Sequence, residues 1–309
     1  MNLKGRDFIA LEDWSREEIE YLLDSASKIK ADFKAGKHHK PLAGKTLGLI
    51  FQKSSTRTRV SFEVGMYQLG GYPLFLSATD TQLGRGELIK DTARVLSRYL
   101  DGIMIRTYDH SDVLELAKYA DIPVINGLTD LLHPCQVMAD LLTMQERFGR
   151  DLAGKKFVYI GDGNNMAHSL MIGCAKMGME VVVAAPSGYK PLDEYVQKAQ
   201  KLAVQHKGSF TLTDDVRFAV QDADVLCTDT WVSMGQEKEK QEKLKKFMPF
   251  QLDSKLLSRA KSTAIVMHCL PAYRGFELTD EVIESSQSVV FQEAENRLHA
   301  QKAILAAIM

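Results

Sequence analysis

Short apolar runs alternate with helically spaced apolar positions along most of this chain. Thr46-Leu47-Gly48-Leu49-Ile50-Phe51 is a continuous apolar run of strand length, and a helical pattern begins with Val60-Ser61-Phe62-Glu63-Val64-Gly65-Met66. The same reading predicts strands at 46–51, 73–76, 102–106 and 122–125, with helical segments between them, such as Val113, Leu114, Ala117 and Ala120 after Ser111. Ahead of them, Ser15-Arg16-Glu17-Glu18 has the form of a capping box, and Ile19, Leu22, Leu23 and Ala26 repeat at helical spacing. A first helix is therefore predicted over 15–31 and a long one over 135–148, ending near Gly149.

After the polar break Asp151-Leu152-Ala153-Gly154-Lys155 the alternation starts again. Strands are predicted at 156–160, 180–185, 209–212, 224–228, 264–268 and 288–291, and helices at 164–177, 191–206, 215–221 and 253–259. Alternating β and α in both halves predicts an α/β protein of two doubly wound parallel-sheet domains. The expected division is 1–150 and 151–293, with a C-terminal helix over about 294–309 (Ala300, Ala303, Ile304 and Ala307 on one face) packing back on the first domain. Glu237 to Lys246 is rich in charge and predicts a solvated helix with Glu239–Lys243 and Glu242–Lys246 pairs.

Composition narrows the function classes. The 309 residues suit two domains. Lys and Arg total 39 against 40 Asp and Glu, so there is no basic footprint for nucleic acid. No apolar run approaches the roughly 18 residues that a membrane span needs. Met1 to Asp7 lacks the apolar core of a signal peptide, and Cys135, Cys174, Cys227 and Cys269 form no CxxC pair. A cytoplasmic protein without nucleic-acid or membrane partners and without a structural metal is expected.

The strongest chemical signal is Ser54-Ser55-Thr56-Arg57-Thr58-Arg59, placed where a buried strand turns into a helix. A helix N-terminus offers unpaired N–H groups and a positive dipole end. One hydroxyl suffices for a cap. Three hydroxyls and two arginines go further, and Ser55, Thr56, Arg57 and Thr58 together suit a dianion such as phosphate. A second turn, Gly161-Asp162-Gly163-Asn164-Asn165, resembles a dinucleotide loop, but Met166 stands where the third glycine belongs, and the strand over 181–185 ends in Pro186-Ser187 with no acidic residue for a ribose. Nicotinamide binding is therefore not expected. Other strand ends carry reactive groups: Arg106, His133 to Gln136, Asp229 to Gly235, and His268 to Pro271. Singly each has an ordinary structural explanation, and their concentration at strand ends suggests a site.

These residues resemble the aspartate/ornithine carbamoyltransferase family. The resemblance rests on Ser55-Thr56-Arg57-Thr58-Arg59 with Phe62-Glu63, and on His133-Pro134-Cys135-Gln136. Asp229-Thr230-Trp231-Val232-Ser233-Met234-Gly235 and His268-Cys269-Leu270-Pro271 resemble its ornithine branch. The resemblance runs from Asp7 to the last helix and implies transfer of a carbamoyl group from carbamoyl phosphate to the δ-amine of L-ornithine, giving L-citrulline and phosphate, a step of arginine biosynthesis or its reverse. It implies no cofactor and no metal.

Carried onto this chain, the family pattern places the phosphate on Ser55, Thr56, Arg57 and Thr58 with Arg106 beside them, and the carbonyl oxygen on Thr58, Arg106 and His133. Gln136, the Leu270 carbonyl and Arg297 would hold the carbamoyl nitrogen. Asp229 and Ser233 would bind the α-ammonium of ornithine, Asn165 and the Met234 backbone its carboxylate, and Cys269 with Asp229 would help remove the amine proton. Cys269 is also counted among the carbamoyl-phosphate residues. Gln82 matches a loop that family members lend to a neighbouring subunit, which implies a homotrimer or a multiple of trimers with shared active sites. Cys135 reads as a small buried residue with no ligand role. Two alternatives stand beside this one: a sister transferase acting on putrescine or N-acetylornithine, and a non-catalytic binder of carbamoyl phosphate.

Overall fold

The computed structural model describes residues 1–77, 81–82, 86–232 and 240–309. By internal contacts the chain forms two compact units, Met1–Leu142 with Glu295–Met309, and Thr143–Ala294.

In the first unit, α1 (Arg16–Lys34) begins at the expected capping box: Ser15 Oγ accepts the Glu18 N–H while Glu18 accepts the Ser15 N–H. Ile19, Leu22, Leu23 and Ala26 are its buried face. β1 (Thr46–Phe51), α2 (Thr56–Gln68), β2 (Tyr72–Ser77), α3 (Ile89–Leu96), β3 (Gly102–Arg106), α4 (His110–Tyr119) and β4 (Val124–Leu128) follow, and α5 (Pro134–Phe148) starts in this unit and ends in the second. The four strands are parallel in the order β2-β1-β3-β4. Phe8 extends the β4 edge, donating its N–H to the Val124 carbonyl at 2.8 Å and accepting the Asn126 N–H at 2.9 Å. Ile50, Ala93, Ile103, Ile105, Val113 and Leu116 belong to one buried cluster.

The second unit contains β5 (Lys156–Ile160), α6 (Asn165–Lys176), β6 (Glu180–Ala184), α7 (Asp193–Gln205), β7 (Ser209–Thr213), α8 (Val216–Val220), β8 (Val225–Thr228), α9 (Lys240–Phe247), α10 (Ser254–Leu257), β9 (Ile265–His268) and α11 (Asp280–Ile283). Its five strands are parallel in the order β7-β6-β5-β8-β9. The last helix, α12 (Val290–Ile308), starts in the second unit and ends in the first, where the Ile308 carbonyl accepts the Gly5 N–H at 2.8 Å.

In each sheet the strand order reverses once, between β1 and β3 and between β5 and β8. Successive crossovers leave in opposite directions at such a point and open a crevice beyond the carboxyl ends of the two strands.

Two expectations are corrected. Residues 288–291 are not a strand. Ser288 makes an isolated bridge to Val266, and Val290 already opens α12. The β-branched pair Val289-Val290 is apolar because it is buried at the helix entrance, not because it extends a sheet. The charged segment is helical from Lys240 and keeps its Glu242–Lys246 pair at 2.9 Å, but Lys243 is only 3% exposed and turns inward. Glu239 lies outside the described residues.

Candidate active site

At the β1/β3 reversal, α2 starts at Ser55, whose Oγ accepts the Thr58 N–H at 3.2 Å. This cap points the Thr58 side chain inward, where it is fully buried. Three donors then converge on Thr58 Oγ1: the Ser55 hydroxyl at 3.1 Å, Arg106 Nη1 at 3.4 Å and Arg297 Nη2 at 2.8 Å. Arg106 ends β3 and Arg297 comes from α12, and both are buried. A hydroxyl oxygen has two lone pairs and no charge to offset two guanidiniums. Two buried guanidiniums and two hydroxyls thus gather at one helix start, a set of donors that suits an incoming anion.

His133, just before α5, is 4% exposed. Burial, and then the positive charges of Arg297, Arg106 and Lys53, hold its imidazolium well below the ordinary 6.5. It is a neutral imidazole near pH 7, able to donate one N–H. Gln136 is fully buried one turn along and donates to Asp140 Oδ1 at 2.9 Å. Arg57 and Thr56 sit in the first turn of α2, with Arg57 half-buried. Arg59 is held elsewhere: it pairs with Glu63 at 2.9 Å and lies 3.6 Å over the Phe75 ring. Arg59 and Phe75 help line a hollow of about 360 Å³ with Ser54, Ser55 and Thr56. Gln82 is exposed. Cys135 is buried, its thiol pushed up to about 12 by burial, and it donates to the Asn126 carbonyl.

The second unit concentrates negative charge at its own reversal. Asp229 follows β8 and is 7% exposed. Its Oδ2 accepts from Asn164 Nδ2 at 2.8 Å, and its Oδ1 from the Thr230 N–H at 2.7 Å and the Cys269 thiol at 3.1 Å. Asn164 caps α6 by accepting the Met166 and Ala167 N–H groups, and also receives the Tyr159 hydroxyl at 3.2 Å. Burial, then the charge of Asp229, pushes Tyr159 well above its ordinary value, so it stays a donor. Asn165, half-buried, is the first residue of α6. Asn164 is the asparagine whose side-chain amide donates to Asp229. Its place at the end of the Gly-x-Gly turn was a visible signal, but its direction was not. Ser233 and Met234 lie outside the described residues.

At the end of β9, His268 Nδ1 accepts the Leu270 N–H at 2.8 Å, and Nε2 faces Glu277 Oε1 at 3.2 Å. Leu270 adopts a left-handed backbone conformation (φ 55°), which is rare outside glycine. The metal-ligating atoms of Asp229, His268 and Cys269 lie within 4.8 Å of one another, but a metal on Nδ1 would displace the Leu270 N–H from its acceptor.

Fold and site together define a two-unit α/β protein that concentrates donors for an anion in one unit and places a buried, hydrogen-bonded carboxylate at the matching point of the other. The carbamoyl-P binding domain model of the aspartate/ornithine carbamoyltransferases matches residues 6–146, and their Asp/Orn binding domain model matches 153–308. The chain belongs to the aspartate/ornithine carbamoyltransferase family. It is 60% identical over 307 residues to an ornithine carbamoyltransferase of Oceanobacillus iheyensis, covering 99% of this chain and 95% of that protein. It is 58% identical over 309 residues to one from Thermococcus kodakarensis, covering 100% and 98%. Among solved structures, ornithine carbamoyltransferase from Pyrococcus furiosus matches with a TM-score of 0.97 at 56% identity, covering 100% of this chain and 98% of that one.

The buried imidazoles predict an acid-sensitive fold. His299, on α12, is held down to about 4 by burial and the nearby Lys302 and Lys30, and His133 is lowered as well. Once pH falls below about 6.5, the unfolded chain binds protons that the folded chain refuses, so stability falls from there toward pH 4. Urea unfolding near pH 7 and near pH 5 measures this. The His299→Gln variant should show a shallower loss, and an equal loss in variant and parent would refute the assignment.

Proposed function

We propose that this chain transfers the carbamoyl group of carbamoyl phosphate to the δ-amine of L-ornithine, forming L-citrulline and phosphate. The observation that carries the reading is the convergence of two buried guanidiniums and a serine hydroxyl on Thr58 at the start of a helix. Curated relatives over the whole chain bear the name ornithine carbamoyltransferase, and one, from Pyrococcus furiosus, is named anabolic. That supports a place in arginine biosynthesis.

The first unit would take carbamoyl phosphate. Its phosphate would sit on Ser55, Thr56, Arg57 and Thr58 with Arg106, and its carbonyl oxygen on Thr58, Arg106 and His133. As the δ-amine nitrogen attacks, the carbonyl oxygen gains charge, which preorganised donors stabilise in a site shielded from water. A neutral His133 suits this role, since it donates without first losing a proton. Gln136 and Arg297 would hold the carbamoyl nitrogen. The second unit would take ornithine, its α-ammonium on Asp229 and Ser233 and its carboxylate on Asn165 and the Met234 backbone. The Leu270 carbonyl is supported by the family resemblance alone, and a role for Cys269 by that resemblance together with its contact to Asp229.

Alkyl amines are mostly protonated near pH 7 and must lose a proton to attack. The Cys269 thiol lies against Asp229 in a chain able to carry that proton. The new C–N bond forms, the C–O bond to phosphate breaks, and phosphate leaves with the electron pair and can take the proton. No covalent enzyme intermediate is needed.

Assays with carbamoyl phosphate and ornithine, putrescine, N-acetylornithine or aspartate, each offered singly, test the acceptor. Citrulline from ornithine alone is expected, and preference for another amine would overturn this assignment while leaving the phosphate site standing. Arg106→Gly should lower kcat by at least about a hundredfold, as removal of an oxyanion donor does elsewhere. Retained turnover would remove Arg106 from the mechanism.

A homotrimer is part of the proposal. Val60, Val64 and Tyr67 present an exposed apolar face on α2, and Tyr72 and Leu74 an exposed one on the edge strand β2. Such faces mark contact surfaces, and Gln82 would then serve a neighbouring subunit. Sedimentation equilibrium should give three times the chain mass or a multiple of it. A monomer at assay concentrations would refute it.

A further inference from the structure

The least expected ion pair in the second unit is Lys243 with Asp162. Lys243 Nζ lies 2.5 Å from Asp162 Oδ2, and both residues are buried, at 3% and 9% exposure. Two aromatic faces enclose the ammonium, Tyr189 at 5.4 Å and Phe247 at 5.6 Å. Phe247 also touches Trp231, two residues beyond Asp229, with ring centroids 5.6 Å apart. Isolated buried charges are costly, so a pair kept this far from water has its geometry closely set.

Asp162 stands in the turn between β5 and α6, and that turn is fixed on its other side too. A Cβ on Gly163 would fall 2.1 Å from the Pro191 nitrogen, and the Gly163 N–H donates to the Tyr189 carbonyl at 2.8 Å. The next residue is Asn164, whose amide holds Asp229. Contacts therefore run from Lys243 through Asp162 and its turn to Asn164 and Asp229. Burial raises the Asp162 carboxyl, Lys243 opposes this, and the charge of Asp229 raises it further. The two carboxylates feel each other, and Lys243 offsets one of them.

We propose that Lys243 is a positioning residue for the amino-acid substrate: by neutralising Asp162 it fixes the turn that carries Asn164 and leaves Asp229 as the carboxylate that meets the substrate ammonium. The inference rests on the reading that the second unit takes ornithine. Without Lys243, a second buried carboxylate competes for the ammonium and the Asn164 turn loses its anchor. The effect falls on the amino acid, because Lys243, Asp162, Asn164 and Asp229 all belong to one unit and the phosphate-binding residues to the other.

The test is steady-state kinetics of the full chain with both substrates varied, on Lys243→Met, Lys243→Arg and the double variant Lys243→Met with Asp162→Asn. Lys243→Met keeps most of the apolar stem and removes the charge. It should raise the ornithine KM about tenfold or more, the size of one misplaced polar contact, with the carbamoyl phosphate KM within about twofold of the parent. Lys243→Arg should stay near the parent, and the double variant should recover most of the loss because no unpaired carboxylate remains. An unchanged ornithine KM in Lys243→Met overturns the proposal. So does a rise in both KM values that neither Lys243→Arg nor the double variant relieves, which would mark a merely structural lysine. If the parent prefers a different amine, the acceptor assignment fails on its own, and the same comparison with that amine still decides the role of Lys243.

Discussion

Each sheet reverses its strand order once, and the chemistry of both units depends on that constraint. Where β1 meets β3, and where β5 meets β8, the chain leaves adjacent strands toward opposite faces. The space beyond those strand ends is then lined by loops and helix starts rather than filled by a crossover. Thr58 and Arg106 stand at the first reversal, and Asn164 and Asp229 at the second. The hydrophobic alternation that builds the sheets thus also decides where polar groups can gather without breaking a core.

The two units handle charge in opposite ways. The first gathers cations: Arg106 and Arg297 share a neutral hydroxyl, and burial, with those charges behind it, keeps His133 uncharged. The second surrounds its carboxylates. Asp229 receives an amide, a backbone N–H and a thiol, and Asp162 receives Lys243. Buried charges need partners, so a cluster of guanidinium and hydroxyl donors suits a dianion, while a carboxylate with donors on both oxygens is held in place to meet a cation. This complementarity fits a reaction between an acyl phosphate and an amino acid better than it fits a dinucleotide.

Much of the fold was legible because the strands are buried on both faces. β1, β3 and β5 read as uninterrupted apolar runs, and the structure gives them the expected bounds. The capping box at Ser15 was equally plain, since it depends on residues three apart. Val289-Val290 misled because a buried β-branched pair looks alike at a helix entrance and in a strand. The anion cluster was legible as a motif, but Arg297 entered only through the family resemblance: the packing of its helix, 239 residues beyond Thr58, brings it to that hydroxyl, while Arg59 pairs with Glu63 and lies over Phe75.

By itself the sequence determined the local facts: which segments are strands and helices, where caps and turns fall, and that hydroxyls, guanidiniums, carboxylates and a thiol stand at strand ends. These follow from neighbours within a few residues, whose period and chemistry are written in order. Tertiary structure decided which of those groups meet. Lys243 reads as one more solvated charge in a run of lysines and glutamates, and only the packing of α9 brings it to Asp162, 81 residues earlier. Asn164 and Asn165 are indistinguishable in sequence, and the capping geometry of α6 alone turns the first of them toward Asp229. The physical reason is the same in both cases: the direction of a side chain, and the partner that satisfies it after burial, are set by the packed elements around it and not by its place in the chain.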